Sequence, residues 1–488
     1  MFTDTSNNGQ NMQMTGCGGI SFAGLLSKTE DMKDYAAIRR EFGGARRECG
    51  RGGCDGWSVM QEALACWHGG SEFRRERRRN KDYTFGRQWN DVIEVDGRRM
   101  TEYEYIVSEG NIPLKNNLIR RIVRNVLGVF RRQLAEKMEK WEGEERERAA
   151  RNGLYELYSR TMEEFLISGL AVHKKWRGFR DGEQGVWTDF VSPDSFFFDG
   201  AMRDVRGWDM NIVGQIHEVD EGGWCDAFVA TPQDYAAMKA RFGRDRGMRQ
   251  RVMEVWRRER RPRRLVHDPV GGSVAVVEED EWQGSRRGAG CRSRWFTADV
   301  WRYYFIDAEG KILRQGDSPY RHGSHPYVMK AYPFFDGEIH SFVNDMIDQQ
   351  RYANRLITLY DWVMRASAKG VLLLPEGSVE PENLREVADQ WSRFNGVIVY
   401  KPKAGVPDPR QVSGNAANIG ITELLDIQLK MLEDVSGVNG ALQGNLANNS
   451  VSGTLYNQQT QNALTSLSDI LDTFASFIDS CRAKEFSL

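Results

Sequence analysis

Phosphate chemistry needs particular residues at particular spacings, and two places in the 488-residue chain come near to them. A nucleotide-cradling loop requires Gly, four residues, then Gly-Lys-Ser/Thr, so that backbone N–H groups wrap the phosphates and the lysine meets their charge. Gly310-Lys311 is the only Gly-Lys pair; Ile312 follows it, and Phe305 stands where the first glycine should be. Pro193-Asp194 could open a metal-dependent nuclease site of the Pro-Asp…Glu-x-Lys kind, yet no lysine lies between Lys175 and Lys239. The same dipeptide makes an ordinary turn after a strand. Asp345 and Asp348 fall one turn apart on a helix face, with no second acidic or histidine pair to complete a cation site. Cys49, Cys54, Cys66 and His68 match no standard zinc spacing. The remaining histidines, among them His173, His217, His322, His325 and His340, pair with no Ser or Cys at a telling distance in the chain. Hydrolytic and phosphoryl-transfer sites need convergent residues, so the expectation is a protein without catalytic, metal or cofactor sites.

Two other constellations point to binding. Between Arg241 and Arg264 the chain carries eleven arginines against Asp245, Glu254 and Glu259. Its C-terminal part, Arg257, Arg258, Arg260, Arg261, Arg263 and Arg264, reads either as a solvated loop or as a docking surface for an acidic partner, since arginine forks suit carboxylates as well as phosphates. The second is the segment 437–453. Gly437, Gly440, Gly444 and Gly453 give it backbone freedom. Asn439, Gln443, Asn445, Asn448 and Asn449 can hydrogen-bond phosphate or water without a charge that would trap DNA. An ordinary mobile surface loop is the plain alternative.

The elements that position these residues follow from hydrophobic period. Residues 1–55, rich in Gly, Asn, Ser and Arg, cannot bury a core and read as a disordered arm. Helices are predicted over 59–81, over 116–151 with Ile119, Ile122, Val123, Val126 and Phe130 on one stripe, and over 154–168. Two strands, 171–179 and 186–191, frame a hairpin, and Thr231 caps a short helix to Phe242. Strand-like runs at 252–256, 274–277 and 301–306 make a small β-rich unit. After Asp336-Gly337 the longest helical signal runs from Glu338 to Ala368, ended by Lys369 and Gly370. A strand at 397–401 and helices at 420–435 and 451–484 complete the chain, the two last with apolar stripes expected to pack inward.

Charge narrows the partners. Lys+Arg 67 against Asp+Glu 69 leaves a formal net charge of −2, unlike the basic excess of a protein that grips nucleic acid over its surface. The first residues hold no apolar signal core, and no apolar run approaches a membrane span. Seven cysteines, an odd number, suggest a reducing compartment rather than a disulfide framework.

Four groups of segments, in order, resemble the portal proteins of tailed bacteriophages. The first is Tyr83-Thr-Phe-Gly-Arg-Gln-Trp89 with Asn111-Ile-Pro and Leu118 to Gly128; the second is Gly169-Leu-Ala-Val172 with Val191-Ser-Pro-Asp-Ser-Phe-Phe-Phe-Asp199. The third joins Val252-Met-Glu-Val-Trp256, His325-Pro-Tyr-Val328, Asp336-Gly-Glu338 and Asp345-Met-Ile-Asp348-Gln-Gln-Arg-Tyr-Ala-Asn354. The fourth is Ser436-Gly-Val438 with Leu442-Gln-Gly444 and Ser452-Gly453. The Gly-rich stretch around Cys49 has no counterpart in that family.

The resemblance implies a mixed α/β (α+β) ring subunit with a helical wing and stem and a small β-rich clip. Its parts would be the arm 1–55, a wing at 56–230, a first stem helix at 231–248, the clip at 249–335, and the long stem helix at 336–370 with Phe342, Met346, Asp348 and Arg351. A wing return at 371–436, a channel loop at 437–453 and a terminal helix at 451–488 would follow, with a crown absent or minimal. It further implies a homo-oligomeric ring, by family habit a dodecamer, at one capsid vertex of the virion, assembled in the host cytoplasm. Double-stranded DNA would pass through it without sequence preference during packaging and ejection. Its partners would be the terminase large subunit, capsid and scaffold proteins and a head-completion adaptor, with no membrane and no cofactor. A non-catalytic scaffold or head-tail adaptor is the rival reading, and a divergent nuclease a more distant one.

Overall fold

The computed structural model describes residues 56–180, 182–243, 247–268, 273–279, 282, 292–369, 371–375, 379, 381–392, 405, 410–412, 420–440, 442 and 453–487. The arm 1–55 and the strand expected at 397–401 lie outside these residues, as do Gly370, Cys49 and Cys54. The fold mixes helix and sheet, as expected. No helix among the described residues is long and apolar enough to cross a membrane.

The chain divides into two compact units, the smaller holding residues 1–62, 217–253 and 304–314. Within it, Trp224 of α7 (Glu221–Phe228) and Met238 and Phe242 of α8 (Pro232–Phe242) are buried with Val252, and Phe305 and Leu313 pack against them. The start of α8 follows its sequence: Thr231 Oγ1 accepts the Asp234 N–H at 3.2 Å while the Asp234 carboxylate accepts the Thr231 N–H at 3.0 Å. This reciprocal cap satisfies two donors that the first helical turn leaves free. Arg241 donates to the fully buried Asp307 at 2.6 Å.

The larger unit holds 63–216, 254–303 and 315–488. Its main core is helical. The stripe Ile119, Ile122, Val123, Val126, Phe130 and Leu134 of α4 (Leu118–Met138) is buried together with Phe165 of α6 (Leu154–Ser168) and with Phe474 and Phe477 of α13 (Ser468–Phe486). Phe130 and Phe474 meet edge to face with centroids 5.0 Å apart. Burial of side chains this size stabilises by about 1.5–3 kcal/mol each, so the periodicity that predicts α4 also accounts for its anchorage. An antiparallel sheet of order β11-β3-β4 joins Tyr327–Ala331 to the hairpin Leu170–Arg180 and Glu183–Phe190, with Trp176 opposite Trp187. A second sheet, of strands β5 to β10, pairs β5 with β6 and β7 with β8 in antiparallel register. Its strands are Phe196–Phe198, Ile212–Val219, Gln250–Asp268, Ser273–Glu278, Arg292–Asp307 and Ile312–Asp317 in chain order.

Several expected elements break where a local signal outweighs the apolar period. The helix expected over 59–81 is two, α1 (Gly56–Gly69) and α2 (Ser71–Thr84), parted at Gly70. The helix expected over 116–151 stops at Met138 and resumes as α5 (Gly143–Arg151), because Trp141 is buried in the intervening turn. The terminal helix starts at Gly453, and Leu467 interrupts it between α12 (Gly453–Ser466) and α13. The long helix expected from Glu338 is the largest difference. Asp336 and Gly337, both at positive φ, turn a hairpin of β12 (Phe334–Phe335) and β13 (Glu338–Ile339), the geometry for which Asp-Gly is the commonest signal. Asn344–Met346 then form a 3-10 turn with the Asn344 N–H on Ser341 Oγ at 3.1 Å. The stem-like helix itself, α9, spans Ile347–Lys369, 23 residues, or about 35 Å.

A second Asp-Gly turn, Asp96-Gly97, closes the hairpin of β1 (Val92–Val95) and β2 (Arg98–Thr101), which leads into α3 (Glu102–Ser108). Gly169, at φ +76°, ends α6; a Cβ there would lie 1.8 Å from the His340 carbonyl oxygen. The run of arginines after Trp256 is neither a break nor a solvated loop: β7 continues through it to Asp268.

Candidate interface and docking residues

The segments that carry the sequence motifs meet at one buried junction of amide side chains. Gln350, on the inner face of α9, accepts the Leu118 and Ile119 N–H groups through Oε1 at 2.9 and 3.1 Å. Through Nε2 it donates to the Asn116 carbonyl at 2.8 Å and to Asn354 Oδ1 at 3.0 Å. Asn354 donates to Gln88 Oε1 at 2.7 Å, and Gln88 donates to the Tyr83 carbonyl and to Asn117 Oδ1. Asn117 in turn caps α4 by accepting the Arg120 N–H at 3.0 Å. The unsatisfied N–H groups at a helix start need partners; here a second helix supplies them from a side chain. Gln88, Gln350 and Asn354 belong to the motif segments, but uncharged amides carry no spacing that would mark them in the sequence. Of the four residues expected to mark the stem, Phe342 and Met346 join the helical core and Asp348 is exposed in the first turn of α9. Arg351 pairs, together with Arg355, with the buried Glu102 at the start of α3.

Outside this junction two packed helices carry uncovered apolar side chains. α11 (Ile421–Ser436) packs along α9. It buries Ile421 and Leu432, while Leu424, Ile427 (51% exposed), Met431 and Val435 face outward at three- and four-residue spacing. The expected inward packing of this helix is therefore only half realised; it has two apolar faces and one of them is open. On α9, Leu359, Tyr360, Trp362 (50% exposed) and Met364 are similarly open. A groove of about 420 Å³ runs beside them, lined by Leu359 and Trp362 of α9, Tyr105 and Ile106 of α3, and Ile93 of β1.

The six arginines nominated for docking alternate across β7. Arg257 and Arg261 share Glu259 at 3.1 Å, and Arg261 also meets Asp317 at 2.9 Å. Arg263 pairs with Glu278 and Arg264 with Glu279, both at 2.7 Å. Arg258 donates to the Trp208 carbonyl and to Asn211. Arg260, with its side chain 81% exposed, makes only a loose 3.4 Å approach to Asp299. Alternation places these side chains on two faces of the strand, so they are not one patch, and Arg260 is the most available of the set.

Of the channel-loop residues, Gln443, Asn445, Asn448 and Asn449 lie outside the described residues. Asn439 is described and engaged: its Nδ2 donates to the Gln459 carbonyl at 3.3 Å and its Oδ1 accepts the Leu442 N–H at 3.2 Å. With Val438 fully buried and Ser466 donating to the Gly437 carbonyl, the start of this loop is tied to α12 rather than free.

The residues examined for chemistry have other employment. Asp194 and Glu164 both accept from the buried Arg77 guanidinium, an ion cluster that leaves no open carboxylate pair. The fold brings His173 to Thr161 at 2.7 Å and to Cys481 at 3.8 Å, although 308 residues separate histidine and thiol. A nucleophilic pair needs thiolate and imidazolium. Burial does the reverse, pushing the Cys481 thiol up to about 12 and holding His173 well below the usual imidazole value. Among the described residues no three His, Cys, Asp or Glu side chains group closely enough to hold a metal ion.

Residues 146–484 match the family of phage P22-like portal proteins. No curated protein matches the chain.

Proposed function

The chain belongs to the phage P22-like portal protein family, and from that premise we propose that it is the subunit of a closed ring at one capsid vertex through which double-stranded DNA is packaged and ejected. The observation that carries this is the open apolar face of α9 and α11, with Leu359, Trp362, Ile427 and Met431 exposed. Apolar side chains exposed on two packed helices lower a monomer's solubility, whereas a head-to-tail contact that closes on itself covers them in every copy. Burying one such side chain in an interface contributes about 1.5–3 kcal/mol, and the ring repeats it at every contact. The formal net charge of −2 suits passage, because each neutralised phosphate adds to salt-dependent retention.

In this reading the segment 336–370 is the stem, 249–335 the clip and 437–453 the loop nearest the DNA. The terminase large subunit, capsid and scaffold proteins and a head-completion adaptor dock outside the bore, and the role is structural rather than catalytic. The particle forms in the host cytoplasm and remains in the virion. Arg260 is the favoured contact for an acidic partner. Mass photometry of the purified chain tests the ring: wild type should give one large closed species, by family habit a dodecamer, and Ile427→Lys with Met431→Glu only monomer. A wild type that stays monomeric across concentrations and with scaffold protein added, or a double variant that assembles as well as wild type, would overturn it. In docking assays Arg260→Ser should weaken terminase binding while leaving rings intact.

A further inference from the structure

A cavity of about 590 Å³ in the larger unit has a lining that neither the junction nor the apolar face explains. Arg206 and Trp208 come to it from the turn before β6, Arg258 from β7, Lys330 from β11 and Lys484 from α13. Four cations thus line the space, and no aspartate or glutamate does. Arg206 is spent, since Asp204 accepts from its guanidinium twice at 2.9 Å. The other three are not neutralised. Arg258 donates only to the neutral Trp208 carbonyl and Asn211 amide oxygen, and Lys484 donates to the Tyr327 carbonyl at 3.1 Å. Neither they nor Lys330 has a carboxylate partner among the described residues. Leaving charges partly desolvated and unpaired costs free energy, and burial accordingly draws the Lys484 ammonium down to about 8. Among the described residues nothing offsets that cost; an anion would.

The donors around the charges fit one kind of anion. Ser476 and Ser480, one turn apart on α13, line the same space; Ser480 Oγ donates to the Ser476 carbonyl at 2.8 Å, so the Ser476 hydroxyl is the donor there, and the buried His325 Nδ1 has no hydrogen-bond partner. Three charged donors reaching one space from separate elements match the three terminal oxygens of a phosphate ester, whereas the two oxygens of a carboxylate are met best by a single bidentate fork. Trp208 extends the match. Trp208 is 68% exposed, and the Arg206 guanidinium covers one face of its ring at 3.8 Å from the centroid. That leaves an aromatic surface, of the kind on which nucleobases stack, next to the cationic space. We propose that this cavity binds a nucleotide, with Arg258, Lys330 and Lys484 meeting the phosphate and Trp208 the base. The inference rests on the cavity alone and not on ring assembly.

Calorimetric titration of the full chain tests it with three probes: inorganic phosphate, a deoxynucleoside monophosphate, and a short single-stranded DNA. The nucleotide should bind more tightly than phosphate alone, and Arg258→Gln or Lys330→Gln should each weaken it by about tenfold, the loss expected of one charge-assisted bond. Arg260→Gln, a cation outside the cavity, should leave it unchanged. Lys330 is only half-buried, so its variant keeps the test valid if Arg258→Gln fails to fold. Saturation by the mononucleotide assigns a small-molecule site, and binding of the oligonucleotide alone assigns a strand site; both uphold the phosphate chemistry. The proposal fails if no phosphate-bearing probe binds, if binding survives both variants, or if an acidic peptide binds more tightly than the nucleotide. A chain that stays monomeric yet binds nucleotide at these residues would sink the ring and leave the cavity assignment standing.

Discussion

Glu485→Ala should loosen the C-terminal helix far more than its position near the chain end suggests. Glu485, nearly buried, accepts from the fully buried Lys175 of β3, whose ammonium also donates to Thr188 at 2.7 Å. Truncation leaves the Lys175 side chain buried and held by a single hydroxyl. Breaking a buried pair on one side costs about 3–5 kcal/mol, whereas replacing both partners by apolar side chains of similar volume is often neutral. The chain has two units, so one global unfolding energy is not well defined, and hydrogen exchange of the α13 amides is the proper assay. Local opening should rise on the order of 10² to 10³-fold in Glu485→Ala. In Lys175→Met with Glu485→Leu it should return to within about tenfold of wild type, because no buried charge remains. Unchanged exchange in the single variant would refute the reasoning, and so would a double variant as loose as the single one.

Other perturbations test other joints. Gly169→Ala should abolish soluble folding, since its Cβ would overlap the His340 carbonyl oxygen at a positive φ; a wild-type melting temperature would contradict the geometry. Gln350→Ala should cost about 1–3 kcal/mol for the Ile119 N–H left without its oxygen, the Leu118 N–H keeping the Asn116 carbonyl at 2.9 Å, read as faster hydrogen exchange of the α4 amides, with Gln350→Glu failing to restore the bonds its Nε2 donates. His173 stays neutral in the folded protein because burial lowers its pKa, while the unfolded chain takes up that proton below about pH 6.5. The unfolded state then binds more protons, so stability falls as pH drops through that point, by up to about 1.4 kcal/mol per pH unit from this one group. A His173→Gln variant should show a correspondingly shallower acid slope.

What was legible in the sequence is what is local and periodic. The α4 stripe needs only neighbours three and four residues away, and the Thr231 cap only Asp234. The Asp336-Gly337 turn was equally local. It was outvoted because Ile339, Phe342, Val343 and Met346 keep helical spacing while belonging to a hairpin, a connecting turn and a 3-10 turn. The strand through Arg257 to Arg264 was illegible for a different reason. Six arginines in eight residues look solvated until Glu278, Glu279 and Asp317, far along the chain, are brought opposite them. The three unneutralised cations of the cavity come from three elements with no shared spacing, so no motif could announce them.

The motif segments teach the converse lesson. Their charged members, Asp345, Asp348 and Arg351, invite a chemical role, yet the amides between them make the connection. Gln88, Asn117, Gln350 and Asn354 bond one another and the first turn of α4, and all but the half-buried Asn117 are closed off from water. Amide side chains both donate and accept, so each can link two elements without a buried charge that would need its own partner. Part of this junction, from Tyr83 to Ile119, lies outside the residues 146–484 that match the family. That N-terminal stretch is nevertheless fastened to α9, the helix whose far end carries the open apolar face. A ring contact made through Leu359 and Trp362 would therefore bear on α3 and the start of α4 as well. In such a ring the amide junction would transmit load between neighbouring subunits, and the rigidity of a fully satisfied polar network suits that task better than an apolar contact free to slide.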